Sequence, residues 1–277
     1  MIPGAGSAVR RSAPDGEQLT EEFRALGVRP GGVLLAHSSL RSLGPVRGGS
    51  RAVVRALRAA LGPRGTLVVP AFTPENSDTS PEYRHRVRGL TPAQVEEVRR
   101  RMPPFDPVRT PARSTGRLAE EVRIQPGALR SAHPQTSFAA VGPLADGIVS
   151  GHAPSCHLGE DSPLARLYDT AAEVLLLGVG FARCTAFHLA EYRVPGRPVR
   201  EYRCVVRLGG ERAWWSYSDV DLDDSDFAEI GASFERSGAP VRVGRVGRTT
   251  ARLFAFRDAV DHAAWWLPVR RRRSGGG

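Results

Sequence analysis

The chain has 277 residues, of which 41% are hydrophobic, and a formal net charge of +10 at pH 7. No apolar run is long enough to cross a bilayer, and residues 1–17 lack the apolar segment of a secretory signal, so we expect a cytoplasmic protein. All 39 basic residues are arginines scattered along the chain without a recognition motif, so only the charge supports a nucleic-acid-binding protein, which stays a remote alternative.

The predicted elements alternate between helix and strand. In chain order we expect a helix over 19–26, a strand over 32–36, a helix over 50–61, a strand over 66–69, helices over 92–102 and 118–122, a strand over 174–177, a hairpin over 200–217 that turns at Gly209 and Gly210, a strand over 248–256 and a helix over 258–267. The early strand–helix–strand order is typical of a βαβ unit, in which ligand-binding loops follow the strands.

Composition divides the chain into one domain with two distinct ends. We expect a flexible N-terminus over 1–17, a single domain over 18–268 and a disordered basic, glycine-rich tail over 269–277. The long polar stretch 74–111 interrupts the domain and is read as an insertion that forms a wall or lid of a cleft.

Two polar segments stand out as candidates for acid–base chemistry. Residues 133–142 read HPQTSFAAVG, and residues 159–169 read GEDSPLARLYD. The first offers His133, and the second offers the adjacent carboxylates Glu160 and Asp161; a histidine against a carboxylate is a common general base. The alternatives are a histidine in a surface turn and carboxylates that cap a helix before Ser162.

Polar loops and one acidic segment are candidates for ligand binding. Ser38 and Ser39 follow the first strand, where backbone N–H groups can bind phosphates, although simple turn chemistry explains serines equally well. An acidic segment at 219–229 contains Asp219, Asp221, Asp223, Asp224, Asp226 and Glu229. It suits either a cationic ligand or the N-terminus of a solvated helix.

Metal and thiol chemistry receive little support. His188 and Glu191 share a helical face, but with His157 they make no convincing set of ligand spacings, so no metal is expected. Cys156 or Cys184 could carry an acyl group, and Cys156 directly precedes His157, but neighbours in sequence seldom form a catalytic pair. Cys204 lies in a strand pattern. Three cysteines are also too few for a disulfide framework.

An ordered set of motifs extends from about residue 19 to residue 261. In addition to the two segments above, it comprises HSSLRSLGPVRGG at 37–49, GTLVVPAFT at 65–73, MPPFDPVRTPARSTGRLAE at 102–120, LLLGVGF at 175–181, TAFHLAEY at 185–192 and DLDDSDFAEIG at 221–231. In this order the chain resembles the aminoglycoside 3-N-acetyltransferase family, antibiotic acetyltransferases that use acetyl-coenzyme A. The fold that we expect is α/β, a three-layer α/β/α sandwich around a mixed, largely parallel sheet, with the helical insertion lining the substrate cleft.

The resemblance implies roles for particular residues. His133 is the expected general base, Glu160 fixes its tautomer, and Asp161 either replaces Glu160 or binds the substrate. The expected coenzyme A contacts are His37, Ser38, Ser39, Leu40, Thr73, Arg113, Ser114, Thr115, Gly116, Ser137 and Phe138. The expected contacts to substrate ammonium groups are Glu75, Asp78, Asp161, Glu191, Asp221 and Asp223.

The implied reaction is direct transfer of an acetyl group from acetyl-coenzyme A to the 3-amino group of a deoxystreptamine aminoglycoside, which confers resistance. Neither a metal, a membrane nor a nucleic acid is expected as a partner. The oligomeric state is left open, because the apolar Trp265 and Trp266 near the C-terminus belong either to the core or to a homodimer interface. The main alternative is N-acetylation of another amine, either a metabolite or an antibiotic.

Overall fold

A seven-stranded mixed sheet lies at the centre of the computed structural model, which describes residues 13–274. The strands are β1 (Val33–Ser38), β2 (Thr66–Pro70), β3 (Leu129–Arg130), β4 (Phe138–Val141), β5 (Glu173–Leu177), β6 (Val199–Leu208), β7 (Glu211–Val220), β8 (Arg242–Val246) and β9 (Thr249–Ala255). The sheet has the order β3-β4-β2-β1-β5-β9-β8, and β6 pairs with β7 apart from it. Strands β2, β1 and β5 are parallel neighbours, whereas β4 and β9 run against them.

Helices cover both faces of the sheet. The helices of the structure are α1 (Gly16–Leu26), α2 (Leu40–Leu43), α3 (Gly49–Leu61), α4 (Pro81–Arg86), α5 (Pro92–Arg100), α6 (Arg117–Arg123), α7 (Ala145–Val149), α8 (Pro163–Asp169), α9 (Ala186–Arg193), α10 (Phe227–Arg236) and α11 (Phe256–Ser274). Of these, α4 and α5 lie in the insertion and pack with the β6–β7 hairpin rather than on the sheet. Within residues 13–274, none of these helices combines the length and the apolarity that crossing a membrane requires.

Successive side chains along the central strands pack into two separate hydrophobic clusters, one on each face of the sheet. Leu34 and Ala36 of β1 pack in a cluster with α1, α3 and α6, whereas Val33 and Leu35 pack in a second cluster with α7 to α11. This division follows from the alternation of side chains across a strand. It confirms the three-layer α/β/α arrangement around a mixed sheet that the sequence predicted.

Two helices extend into the segments that were predicted to form the ends of the chain. Helix α1 begins at Gly16, capped by Asp15, inside the segment predicted to be flexible. Helix α11 continues past Pro268 to Ser274, inside the predicted tail. Residues 1–12 and 275–277 lie outside the described residues, so for them the prediction stays untested. Of the two adjacent tryptophans, Trp266 is buried and Trp265 is exposed.

The insertion and the β6–β7 hairpin form one unit beside the sheet, which we call the insertion–hairpin unit (residues 74–111 and 199–220). The carboxylate of Asp78, only 1% exposed, accepts from Arg203 and lies 3.2 Å from Arg99 Nε. Ser77 donates from its hydroxyl to the Arg203 carbonyl at 2.7 Å and forms an isolated β-bridge with Cys204. These contacts hold the unit as one wall of a cleft at the ends of β1 and β2.

Candidate active site

Two cavities meet at the carboxyl end of the parallel strands. The first has a volume of about 570 Å³ and the second about 660 Å³, and both are lined by Ser38 and Gly116. From β1, β2 and α9 the first cavity receives His37, Pro70 and His188, and the hairpin contributes Arg200 and Tyr202. Loops beyond the carboxyl ends of parallel strands are where α/β proteins bind ligands.

A histidine–carboxylate pair on α9 faces the first cavity. His188 lines this cavity, and its Nδ1 lies 2.7 Å from Glu191 Oε2, one turn further along the helix. Glu191 is fully buried, and its Oε1 accepts from Arg197 at 2.7 Å and from the backbone N–H of Asp223 at 3.2 Å. A carboxylate held in this way accepts a hydrogen bond from the Nδ1–H group of His188. The Nε2 lone pair of His188 is then available to a ligand.

His133 is held in the opposite tautomer and away from the cavities. Its Nδ1 accepts from the backbone N–H groups of Gln135 and Thr136 at 3.1 and 3.0 Å. The proton of the neutral ring therefore lies on Nε2, an atom without a hydrogen-bond partner among the described residues. Burial lowers the pKa of His133 well below its ordinary value, and the charges of His157 and His152 lower it further. This geometry does not present a basic nitrogen to the cleft.

The predicted contact between Glu160 and His133 is wrong. Glu160 is 56% exposed and accepts from Arg193 Nε at 2.7 Å. Asp161 is also exposed, and Ser162 caps α8 by accepting from the backbone N–H of Leu164. Because the apolar face of α8 packs into the core, the two carboxylates that precede the helix are left at the surface.

His133 belongs to a buried aromatic cluster behind the cleft wall. Its ring centroid lies 4.8 Å from that of His152 and 4.7 Å from that of His157. The Nδ1 of His157 lies 2.8 Å from Asp219 Oδ2, and the Tyr217 hydroxyl lies 3.0 Å from His157 Nε2. Burial lowers the pKa of His152 to about 4 and also lowers that of His157, in the latter case despite the pairing with Asp219. The three rings are therefore neutral at pH 7 and support the wall.

The predicted coenzyme contacts divide into cavity-lining and supporting residues. His37, Ser38, Ser114, Thr115 and Gly116 line the first cavity, and Ser38, Ser39, Leu40 and Gly116 line the second. The remaining four are not among the described residues that line either cavity: Thr73, Arg113, Ser137 and Phe138.

Of the four predicted coenzyme contacts that do not line a cavity, Thr73 and Ser137 stabilise the loops beside the cleft. Thr73 donates to the Pro134 carbonyl at 2.7 Å, and Ser137 donates to the Ala71 carbonyl at 2.8 Å. Phe138 is fully buried, and Arg113 is exposed. The sequence missed Arg41 and Arg117, two exposed arginines that line the second cavity.

Arginines pair with three of the six carboxylates that were predicted to bind substrate. Arg203 and Arg99 hold Asp78, Arg197 holds Glu191, and Arg200 lies 3.1 Å from Asp221. Glu75 and Asp223 are exposed, and neither is among the residues that line the two cavities. The carboxylates that line the first cavity are instead Glu82 of α4 and Asp224 of the acidic segment, both of them exposed.

Thiol chemistry is disfavoured by the surroundings of the cysteines. Burial raises the pKa of the Cys184 thiol to about 12 and also raises that of Cys156, so the reactive thiolate is scarce at neutral pH. Among residues 13–274, no three His, Cys, Asp or Glu side chains converge as a metal site. His157 and His188 both line the first cavity, but each is paired with a different carboxylate, Asp219 and Glu191 respectively.

Comparison with known proteins confirms the resemblance. The family profile for aminoglycoside 3-N-acetyltransferase matches residues 35–268. The chain is 37% identical to the prophage-derived aminoglycoside N(3')-acetyltransferase-like protein YokD of Bacillus subtilis (strain 168), with 91% of each chain covered. It is 35% identical to aminoglycoside N(3)-acetyltransferase VIII of Streptomyces fradiae, with 100% of this chain and 98% of the relative covered.

Solved structures give the same result. The complex of AAC-IIIb with CoASH superposes with a TM-score of 0.81 at 28% identity, covering 94% of this chain and 98% of that one. A histidine-to-alanine variant of AAC(3)-IVa in complex with a gentamicin superposes with a TM-score of 0.78 at 32% identity, covering 95% and 92%. The chain therefore belongs to the aminoglycoside 3-N-acetyltransferase family and is an acyltransferase.

Proposed function

We propose that the chain transfers the acetyl group of acetyl-coenzyme A to the 3-amino group of a deoxystreptamine aminoglycoside. The observation that carries this proposal is the His188–Glu191 pair beside two joined cavities, which provides a base where two substrates can meet. The relatives named above support the substrate class, and the CoASH complex of AAC-IIIb supports the donor.

His188 takes the role that the sequence assigned to His133. As the amine nitrogen attacks the thioester carbonyl, an N–C bond forms, and His188 Nε2 accepts a proton from that nitrogen. Glu191 then stabilises the imidazolium that results. When the C–S bond breaks, His188 returns the proton to the departing thiolate. The two products are an amide and a free thiol.

The two cavities divide the substrates between them. The second cavity takes the phosphate groups of the coenzyme, because Arg41 and Arg117 line it and guanidinium groups bind phosphates well. The serines Ser38 and Ser39 lie at the start of α2 and contribute polar contacts there. The first cavity takes the amine, and Glu82 and Asp224 orient its ammonium groups.

A second candidate function is N-acetylation of a less cationic amine. The first cavity is lined by Arg183 and Arg200 as well as by Glu82 and Asp224. A site for a polycation is expected to carry an excess of carboxylates, whereas these four charges balance. Comparing kcat/KM for aminoglycosides with that for monoamines and amino sugars of low charge discriminates between the two candidates.

The test is thiol release from acetyl-coenzyme A in the presence of a panel of aminoglycosides. We expect His188→Ala to lower kcat by about 100- to 10,000-fold, the range typical of a lost general base. Glu191→Gln should lower it less, and His85→Ala, a change at an exposed histidine of α4, should leave it unchanged. Full activity in His188→Ala would remove this residue from the mechanism. No thiol release from the natural chain with any aminoglycoside would refute the substrate assignment.

A further inference from the structure

His37 is a buried imidazole in the cleft that the mechanism above leaves unused. It lies near the end of β1, is 8% exposed and lines the first cavity together with His188. Its Nε2 is buried and forms no hydrogen bond within residues 13–274. A buried polar atom without a partner costs about 1–3 kcal/mol, and because the residue that carries it lines a cavity, a ligand that enters the cavity can supply the missing partner.

The backbone fixes His37 between the two parts of the site. In the sheet register His37 pairs with Leu176 of β5, and the backbone N–H of Ser39 donates to the Leu177 carbonyl at 2.9 Å. The next residue, Ser38, lines both cavities. His37 therefore lies on a rigid strand at the junction where the thioester and the amine must meet.

The charge state of His37 suits a hydrogen-bond donor. Burial, followed by the charge of His188, lowers the pKa of His37 to about 3. The ring therefore stays neutral at pH 7, also when His188 accepts the proton of the amine. A neutral imidazole carries one N–H group and adds no positive charge that would oppose protonation of His188.

We propose that His37 is a catalytic residue whose Nε2–H donates a hydrogen bond to the oxyanion of the tetrahedral intermediate. This inference rests on the proposed acetyl transfer. When the N–C bond forms, the π electrons of the thioester carbonyl move to its oxygen, and the negative charge develops there. When the carbonyl re-forms, the C–S bond breaks and the thiolate takes the proton from His188. A donor that is already positioned stabilises the charge of the intermediate without reorganisation.

The test compares three substitutions in the full chain. His37→Ala removes the donor, His37→Gln keeps an N–H donor, and His37→Phe keeps the ring without a donor. We expect kcat to fall by about 100- to 1,000-fold in His37→Ala and His37→Phe, the range for loss of one oxyanion donor. His37→Gln should recover at least about 10-fold of that loss, and the Kd for coenzyme A should change little in all three.

The outcomes separate the two proposals. If the natural chain is active and His37→Ala keeps kcat within about threefold, His37 has no role in the oxyanion step. Equal losses in His37→Gln and His37→Phe would also overturn the inference, because retention of a donor would then make no difference. A loss confined to KM for acetyl-coenzyme A would assign His37 to ground-state binding instead. If His37→Ala does not fold, the Gln and Phe variants still decide. An inactive natural chain would refute the proposed function, and this inference with it.

Discussion

Asp219 holds the wall of the cleft together through one buried carboxylate. Its side chain is 7% exposed, and its Oδ2 accepts from the backbone N–H of His157 at 2.7 Å, from His157 Nδ1 at 2.8 Å and from the Tyr192 hydroxyl at 2.6 Å. Burial raises the pKa of Asp219, but hydrogen bonds from His157 and Tyr192 outweigh it and leave the pKa below its ordinary value. The carboxylate is therefore ionised, and Asp219→Ala leaves three donors from other parts of the chain without an acceptor.

The stability lost in Asp219→Ala follows from the number of buried donors that lose their acceptor. Each unsatisfied buried donor costs about 1–3 kcal/mol, and a water molecule in the vacated space can satisfy one of them. Two donors then remain unsatisfied, and we expect Asp219→Ala to lower the free energy of unfolding by about 2–6 kcal/mol. At about 2–4 °C per kcal/mol for a domain of this size, Tm should fall by about 4–24 °C.

Urea unfolding followed by tryptophan fluorescence measures this difference. The matched control is Asp221→Ala, two residues further along the chain, because its carboxylate is 47% exposed and lies 3.1 Å from Arg200. An exposed pair of this kind contributes at most about 1 kcal/mol. If Asp219→Ala loses no more stability than Asp221→Ala, the buried donors do not depend on this carboxylate, and the account of the wall fails.

Two further predictions concern stability. Because the pKa of His152 is about 4 in the fold and about 6.5 in an unfolded chain, the unfolded chain takes up the proton first as pH falls. The stabilisation that His152 provides by staying neutral in the fold is fully present above pH 6.5. As pH falls from 6.5 to 4, the free energy of unfolding declines by up to about 1.4 kcal/mol per pH unit. Urea unfolding at several pH values gives the slope of the free energy of unfolding against pH. In His152→Gln this slope should be smaller between pH 6.5 and 4, by the equivalent of about one proton, and an unchanged slope would contradict the assignment. In Gly159→Ala the new Cβ would lie 2.3 Å from the Tyr192 ring, which must then shift away from Asp219. We expect a loss of about 1–3 kcal/mol, measured against Gly147→Ala, where nothing lies within 4 Å of the new methyl group; equal stabilities would refute the contact.

The central strands could be predicted because they are buried on both faces. Strands β1, β2 and β5 are almost continuous apolar runs, and the structure places each within two residues of the prediction. The sequence missed β4, a four-residue run inside the HPQTSFAAVG segment, and β8, an edge strand of alternating arginine, valine and glycine. Short or charged edge strands carry little periodic signal, because neighbouring strands rather than their own residues define them.

The site was predicted less completely than the fold, for a physical reason. The sequence showed that His188 and Glu191 share a helical face, but not that this face lines a cavity. It also placed His133 and Glu160 in prominent motifs, yet Arg193, 33 residues from Glu160 along the chain, takes that carboxylate. Which carboxylate meets which histidine depends on tertiary packing, and a single sequence does not encode this in any local pattern.

The insertion–hairpin unit has evolutionary consequences because it carries its own small cores. Tyr83, Met102 and Val205 form one buried cluster, and Tyr202, Cys204 and Tyr217 form another, both separate from the two clusters that flank the sheet. The sheet and α9 supply His37 and His188 to the first cavity, whereas this unit supplies Glu82 and Arg200 to it. Substitutions in this unit that leave Asp219 in place can therefore accumulate without loosening the central sheet. Such a division allows the lining of the cavity to change through mutations in a part of the protein that packs around its own small clusters.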